Sequence, residues 1–371
     1  MKKAKKYSIN TKYKKLLCIL MAIALIVASL SISAIAGNEI VTVEVEGEQC
    51  MTYGGQKVSQ SNMMNYLTDG TDVAGQVIYS AYSLLDTREK DFYDRIVSTP
   101  PGTMSFEIEY SPYLSSAEFD AIDFTAIMYA VCLDHPEIFW YNGYSYGYSY
   151  IKSTGQVAAI TYNLGLPVVQ GTSTPVYNAS DIPSFNTAMW NKFHQIASEL
   201  NLANLTGYKF IKVLHDYLCN NVDYVLDNRS CFDPYGTLVN GDAVCQGYAE
   251  TFKMFCDYYN IPVVNIKGTG NGGAHMWNAV QMKDGKWYLL DITWDDQSPS
   301  IYYDFFLVGL NTKDTYFGGK AFNVSHISDG SQYLPALNYA TTAYVHKSEQ
   351  FEQTYNHYVY EDTKYVTLSP F

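Results

Sequence analysis

The sequence predicts an α/β fold of the α+β kind, in which a helix bearing a cysteine packs against an antiparallel sheet bearing a histidine and an aspartate. Three observations predict it. Beyond Gly241, the aromatic residues Tyr248, Phe252, Phe255 and Tyr259 recur at the three-to-four spacing of a buried helical stripe. Over residues 263–294 the period shortens to two, and Asp284-Gly285 marks a hairpin between two such runs. The chain has 371 residues, 47% of them hydrophobic, enough to bury a substantial core and to leave room for a second domain.

The helix is expected to start at an Asp242 N-cap, which puts Cys245 in its first turn. Unpaired backbone N–H groups and the positive end of the helix dipole favour a thiolate there. Asn260 and Pro262 end the helix, the first by tolerating a left-handed conformation and the second by blocking continuation. Residues 263–267 then read as a strand, 268–273 as a glycine-rich loop, 274–280 as a second strand and 287–294 as its antiparallel return. His275 and Asp291 fall at the same end of that sheet. A two-residue turn at Asp284-Gly285 would pair 278 with 291 and 275 with 294, leaving His275 and Asp291 on opposite faces. An extra loop residue or a bulge is therefore expected, with Asp295 as the substitute partner of His275.

Three blocks carry a family resemblance: Ala243-Val244-Cys245-Gln246-Gly247-Tyr248-Ala249, His275-Met276-Trp277-Asn278, and Trp287-Tyr288-Leu289-Leu290-Asp291-Ile292-Thr293-Trp294-Asp295. They resemble the motif blocks of the bacterial transglutaminase-like superfamily over roughly residues 208–310. The resemblance implies a papain-like core and carries the family's Cys-His-Asp triad onto Cys245, His275 and Asp291. Met276 stands where most members of this motif type have alanine. The implied chemistry is attack of Cys245 on a peptide or glutamine amide, with His275 as base and Asp291 as orienter, and a thioester resolved by an amine or by water. Peptidase, deamidase and catalytically inactive cell-surface binding protein remain open beside transglutaminase-like acyl transfer.

The rest of the chain is read in order. Residues 1–36 have the form of a secretory signal: seven lysines, an uncharged run from residue 16 to 36, and Ala34-Ile35-Ala36 as a small-x-small cleavage site. An uncleaved anchor is the alternative, because the run is long enough to span a bilayer. Residues 37–180 are expected to form an N-terminal mixed α/β region, with strands at 40–45 and 105–110 and helices at 72–96 and 116–133. In the strand at 141–150, Tyr144, Tyr146, Tyr148 and Tyr150 share one face, as a cross-strand ladder against residues 156–164 or as a platform for sugar or peptide. The Pro-, Gly-, Ser- and Thr-rich stretch 165–181 marks a boundary, so 181–371 is expected to hold the core and further C-terminal strands. Helices are expected at 183–200 and 208–219, a polar loop at 227–240, another core strand at 302–310, and alternation at 358–368. His194 and His215 read as structurally satisfied histidines.

Charge and cysteine content narrow the partners. Without residues 1–36 the chain keeps 17 basic against 37 acidic residues, a net of −20, which argues against nucleic acid and anionic surfaces. A protein or peptide substrate outside the cell is expected, without stable membrane insertion once the signal is removed. No C-x-x-C occurs and the histidines lack metal-ligand spacing, so no cofactor or metal is expected. Cys219 and Cys231 are the one pair near enough in sequence to bridge, although Cys219 falls on an apolar helix face.

Overall fold

The computed structural model describes residues 32–35, 38–49, 81–169, 172–205, 207–226, 230–297, 299–328, 334 and 336–345. In chain order its strands are β1 (Ile32–Ile35), β2 (Asn38–Gln49), β3 (Ser105–Leu114), β4 (Gly143–Ile151), β5 (Val157–Gly165), β6 (Asp223–Tyr224), β7 (Asp242–Ala243), β8 (Val263–Gly270), β9 (Gly273–Gln281), β10 (Trp287–Leu290), β11 (Asp296–Gln297), β12 (Ser300–Ile301) and β13 (His326–Ser328). Its helices are α1 (Thr87–Ser98), α2 (Ser116–Asp120), α3 (Phe124–Asp134), α4 (Ile182–Glu199), α5 (Gly207–Asn221), α6 (Cys245–Tyr258), α7 (Ile292–Asp295) and α8 (Phe322–Ser325). The 358–368 alternation and residues 72–80 of the expected 72–96 helix lie outside these ranges; within them that helix starts only at Thr87, capped by Asp86, after a 3-10 turn at Ala81–Leu84, and Ile32–Ile35, just before the expected cleavage site, pair with β2.

The sequence suggested one cut near residue 180. The chain instead divides into two interleaved units, one made of Met1–Glu48, Met104–Asp123 and Gly143–Gly165, the other of the remainder. In the first, a five-stranded sheet runs in the order β1-β2-β4-β5-β3, antiparallel at β1-β2, β4-β5 and β5-β3. Its tyrosines form a ladder along β4, with ring centroids 6.4 Å apart for Tyr144 and Tyr146, 6.4 Å for Tyr146 and Tyr148, and 6.1 Å for Tyr148 and Tyr150. Tyr144 also stacks on Tyr162 of β5, and Phe119 of α2 lies 4.6 Å from Tyr148. The ladder is thus engaged within its own unit.

The single helix expected at 116–133 is two, α2 and α3, because its halves bury against different partners. α2 starts at a Ser115/Glu118 capping box and directs Phe119 to the ladder, whereas α3 is buried on every side from Ala126 to Leu133, the mark of a core helix. Asp134 at the end of α3 gathers the second unit. Its carboxylate accepts from the Ala81 and Tyr82 N–H groups at 2.9 Å each and from the Tyr93 hydroxyl at 3.0 Å, which ties α1 to α3.

The second unit is built on an antiparallel sheet in the order β10-β9-β8-β13. The expected glycine-rich loop is mostly strand: β8 runs to Gly270 and β9 starts at Gly273, leaving Asn271-Gly272, at φ 47° and 87°, as a two-residue turn. The next hairpin does hold one extra residue. Gln281 pairs with Trp287, the Met282 N–H donates to the Lys286 carbonyl at 3.0 Å, and Gly285 takes the left-handed position at φ 77°. That register sets Asp291 one step beyond the Leu290–Asn278 pair, opposite Trp277 and hence on the face of His275. The same face carries Val264, Ile266, Trp277, Ala279, Trp287 and Leu289, which pack on Phe305, Val308 and Phe322. On the other face Asn278 Nδ2 donates to the Ala249 carbonyl of α6 at 3.1 Å.

Three further expectations change. The return strand stops at Leu290, and Asp291 caps α7 instead. Residues 302–310 touch β10 by a single bridge, Leu289 to Val308, because Leu307 at φ 49° breaks any extended run. The stretch before α6 is not a polar loop, since Cys231 and Leu238 are buried in it.

Candidate active site

Cys245 is the first residue of α6, as the aromatic stripe required, but Asp242 is not its cap. The N-cap is Val244, with no side-chain hydrogen bond, and Asp242 lies in β7, parallel to β6. Tertiary contacts hold the helix start instead. The Val244 N–H donates to the Cys231 carbonyl at 2.8 Å, and the Tyr248 hydroxyl lies 2.9 Å from the Val222 carbonyl and 2.6 Å from Asp296. Gly247 is required there, because a Cβ would come within 2.6 Å of the Cys231 carbonyl. Cys132, Cys219, Cys231, Cys245 and Cys256 are all buried thiols outside any disulfide, so Cys219 and Cys231 form no bridge.

His275 Nε2 lies 2.6 Å from Asp291 Oδ2, and the His275 side chain also hydrogen-bonds Cys245. With Nε2 occupied by the carboxylate, Nδ1 is the ring nitrogen left for the thiol. The structure thus brings Cys245, His275 and Asp291 into one relay. Burial pushes the His275 imidazole down, but the Asp291 charge and hydrogen bond, with a smaller contribution from Cys245, raise it to about 10. Asp291 is fully buried; burial works against its charge, and His275 with the other donors outweighs that and holds it below the usual carboxylate range. Its second oxygen accepts from the Trp294 N–H at 3.2 Å. Trp294 and Trp277 flank the His275 ring at 5.3 and 6.0 Å.

Asp295 is not a substitute for Asp291. It belongs to a separate buried cluster, with its Oδ2 3.2 Å from His215 Nε2 and its Oδ1 accepting from the Phe305 N–H at 3.0 Å. His215 Nδ1 lies 2.9 Å from Asp216, so this histidine is a satisfied core residue on α5. Desolvation lifts the Asp295 carboxyl to about 7 against the opposing pull of His215.

Two residues near the relay were not singled out from sequence. His326 Nε2, on β13, lies 3.0 Å from the same Asp291 Oδ2 that His275 binds. Its only sequence signal is a short alternation after Phe322. Tyr224, 57% exposed on β6 and paired with Ala243 two residues before Cys245, has its phenol raised by burial, with smaller contributions from Cys245, Cys231 and Asp291. His275, Asp291 and His326 each offer a ligand atom within 4.8 Å of the others, a two-imidazole, one-carboxylate set of the kind a divalent metal could use. The spacing of the histidines along the chain held no hint of it. As placed, those atoms already satisfy one another by hydrogen bonds.

Residues 194–292 match the model of the transglutaminase-like superfamily, a span holding all three relay residues. A search of curated proteins finds no match to the chain. Among solved structures, a crystal structure of a TGase aligns at 14% identity and a TM-score of 0.27, covering 39% of this chain and 44% of that one. The periplasmic domain of TgpA from Pseudomonas aeruginosa aligns at 12% identity and 0.23, covering 41% and 69%. A Cytophaga hutchinsonii protein assigned provisionally as a cysteine protease aligns at 15% and 0.26, covering 62% and 68%. Residues 194–292 are therefore similar to the transglutaminase-like superfamily, whose members are mostly cysteine-based enzymes.

Proposed function

We propose that the protein is an exported cysteine enzyme that transfers acyl groups from peptide or glutamine amides through Cys245, His275 and Asp291. The observation that carries this reading is the hydrogen-bonded relay itself, with the thiol on the first residue of a fourteen-residue helix and a buried carboxylate behind the imidazole. Cys245 Sγ attacks the amide carbonyl, and its proton resides on His275 Nδ1. His275 then delivers that proton to the departing nitrogen as the C–N bond breaks and the thioester is left on Cys245. An amine or water attacks the thioester, gives its proton to His275 and restores the thiol. The Cys245 N–H, at the helix start, is positioned as one donor to the developing oxyanion. Tyr224 supplies an exposed wall for the substrate chain, and Trp277 and Trp294 keep the imidazole dry.

Transfer is favoured over hydrolysis by this aromatic surround. The protein is incubated with a glutamine-containing protein and a labelled primary amine: incorporation that disappears in Cys245→Ala supports transfer, and peptide cleavage that disappears in the same variant makes it a peptidase. One observation favours a second reading, a binding protein on an inactive core: Cys245 is only 2% exposed. Absence of both activities over a broad substrate panel, with Cys245 reduced, would establish it. The lysine-rich start and Ala34-Ile35-Ala36 support export. Among the described residues no helix is long and apolar enough to cross a membrane.

A further inference from the structure

We propose that His326 is a fourth member of the relay, a positioning residue that fixes the Asp291 carboxylate for His275. The inference deepens the functional reading above and rests on it. The two histidines sit on β9 and β13, the strands on either side of β8, with His275 opposite Gly268 and His326 opposite Gly270. β8 places no side chain between them at these positions. A Cβ on Gly270 would lie 2.9 Å from both the His275 ring and the Trp294 ring, and one on Gly268 would lie 2.1 Å from the Ile327 carbonyl. The two glycines therefore let β13 pair closely and let both imidazoles converge on one oxygen.

That oxygen, Asp291 Oδ2, receives His275 Nε2 at 2.6 Å and His326 Nε2 at 3.0 Å, while Oδ1 takes the Trp294 N–H. A carboxylate held by one imidazole can turn about its side-chain torsions, whereas three donors from three backbone positions leave one orientation. His326 cannot swing away. It stacks on Phe322 at 3.9 Å and 12°, lies 4.4 Å from Trp294, and is 4% exposed. Ser325 Oγ lies 2.9 Å from Nδ1 and also reaches the Phe322 carbonyl at 3.2 Å; in the tautomer with its proton on Nε2, the neutral imidazole donates to Asp291. Burial and the charge on His275 favour this neutral form over the pull of Asp291. A histidine among aromatic rings costs desolvation that a phenylalanine would avoid, which is the mark of a group retained for its polar contact.

The test follows the alkylation of Cys245 by iodoacetamide, read by peptide mass spectrometry on the full chain, with thermal melting as a control. His326→Phe keeps the ring stack and removes the donor; Gln places an amide N–H near Nε2, and Asn is too short to reach. The rate should fall at least about tenfold in Phe and Asn and stay within about threefold of wild type in Gln, and His326→Phe should add nothing to Asp291→Ala because the two act as a unit. Melting alone cannot mimic this pattern, since Gln loses the ring stack yet keeps the rate. A folded Phe variant reacting at the wild-type rate, equal rates in Gln and Asn, or an undiminished effect on top of Asp291→Ala would overturn the inference and leave the relay standing. If wild-type Cys245 reacts no faster than in Asp291→Ala, the relay falls and the role of His326 falls with it.

Discussion

Among single residues, Asp291 conditions His275 through a 2.6 Å contact to Nε2. Replacing Asp291 by alanine removes the charge that keeps the imidazole protonated and oriented, so turnover should drop about a hundredfold or more while the melting curve stays cooperative, a loss read in the amine-incorporation assay. The same pair makes a stability prediction. A histidine raised to about 10 contributes stability that is fully present below its unfolded value near 6.5 and is lost as pH rises toward 10. Urea midpoints measured between pH 6.5 and 10 should therefore fall more steeply for wild type than for His275→Gln. Equal slopes would mean that the His275–Asp291 pair does not form in solution.

At the scale of elements, two glycines of one hairpin separate space from backbone. A methyl added at Gly272 would meet nothing within 4 Å, but the residue sits at φ 87°, so Gly272→Ala should cost about 1–2 kcal/mol through the turn alone and leave Cys245 reactivity unchanged. Gly268 has an ordinary backbone but no room, so Gly268→Ala should lift β13, cost about 3 kcal/mol, and slow Cys245 alkylation by displacing His326. Denaturation and alkylation on both variants check the contrast. These elements also show what the sequence could reveal. The stripe on α6, the strands around His275 and the extra hairpin residue were legible because period and turn chemistry are local. The Asp242 cap was misread because the α6 start is held by the Cys231 carbonyl, a tertiary partner that local spacing does not contain. His326 was invisible for a related reason: β13 is three residues long and pairs with β8 56 to 60 positions earlier.

At the scale of the molecule, the chain weaves between its two units, and composition alone could not show it. Residues 116–133 read as one amphipathic helix, yet Phe119 joins the tyrosine ladder of one unit while α3 is core to the other. The proposed export is tested at the same scale: N-terminal sequencing of protein recovered outside the cell should begin at Gly37, and recovery of Met1 would point to an anchored form. Whether Cys245 is an activated nucleophile is read from the mass spectrum of the folded protein after brief exposure to a thiol-directed acylating probe. Among the five described cysteines one adduct is expected, mapped to Cys245 and lost in His275→Ala, with Cys132, Cys219, Cys231 and Cys256 unmodified. Labelling of Cys245 no faster than of those four buried thiols, or unchanged in His275→Ala, would contradict it.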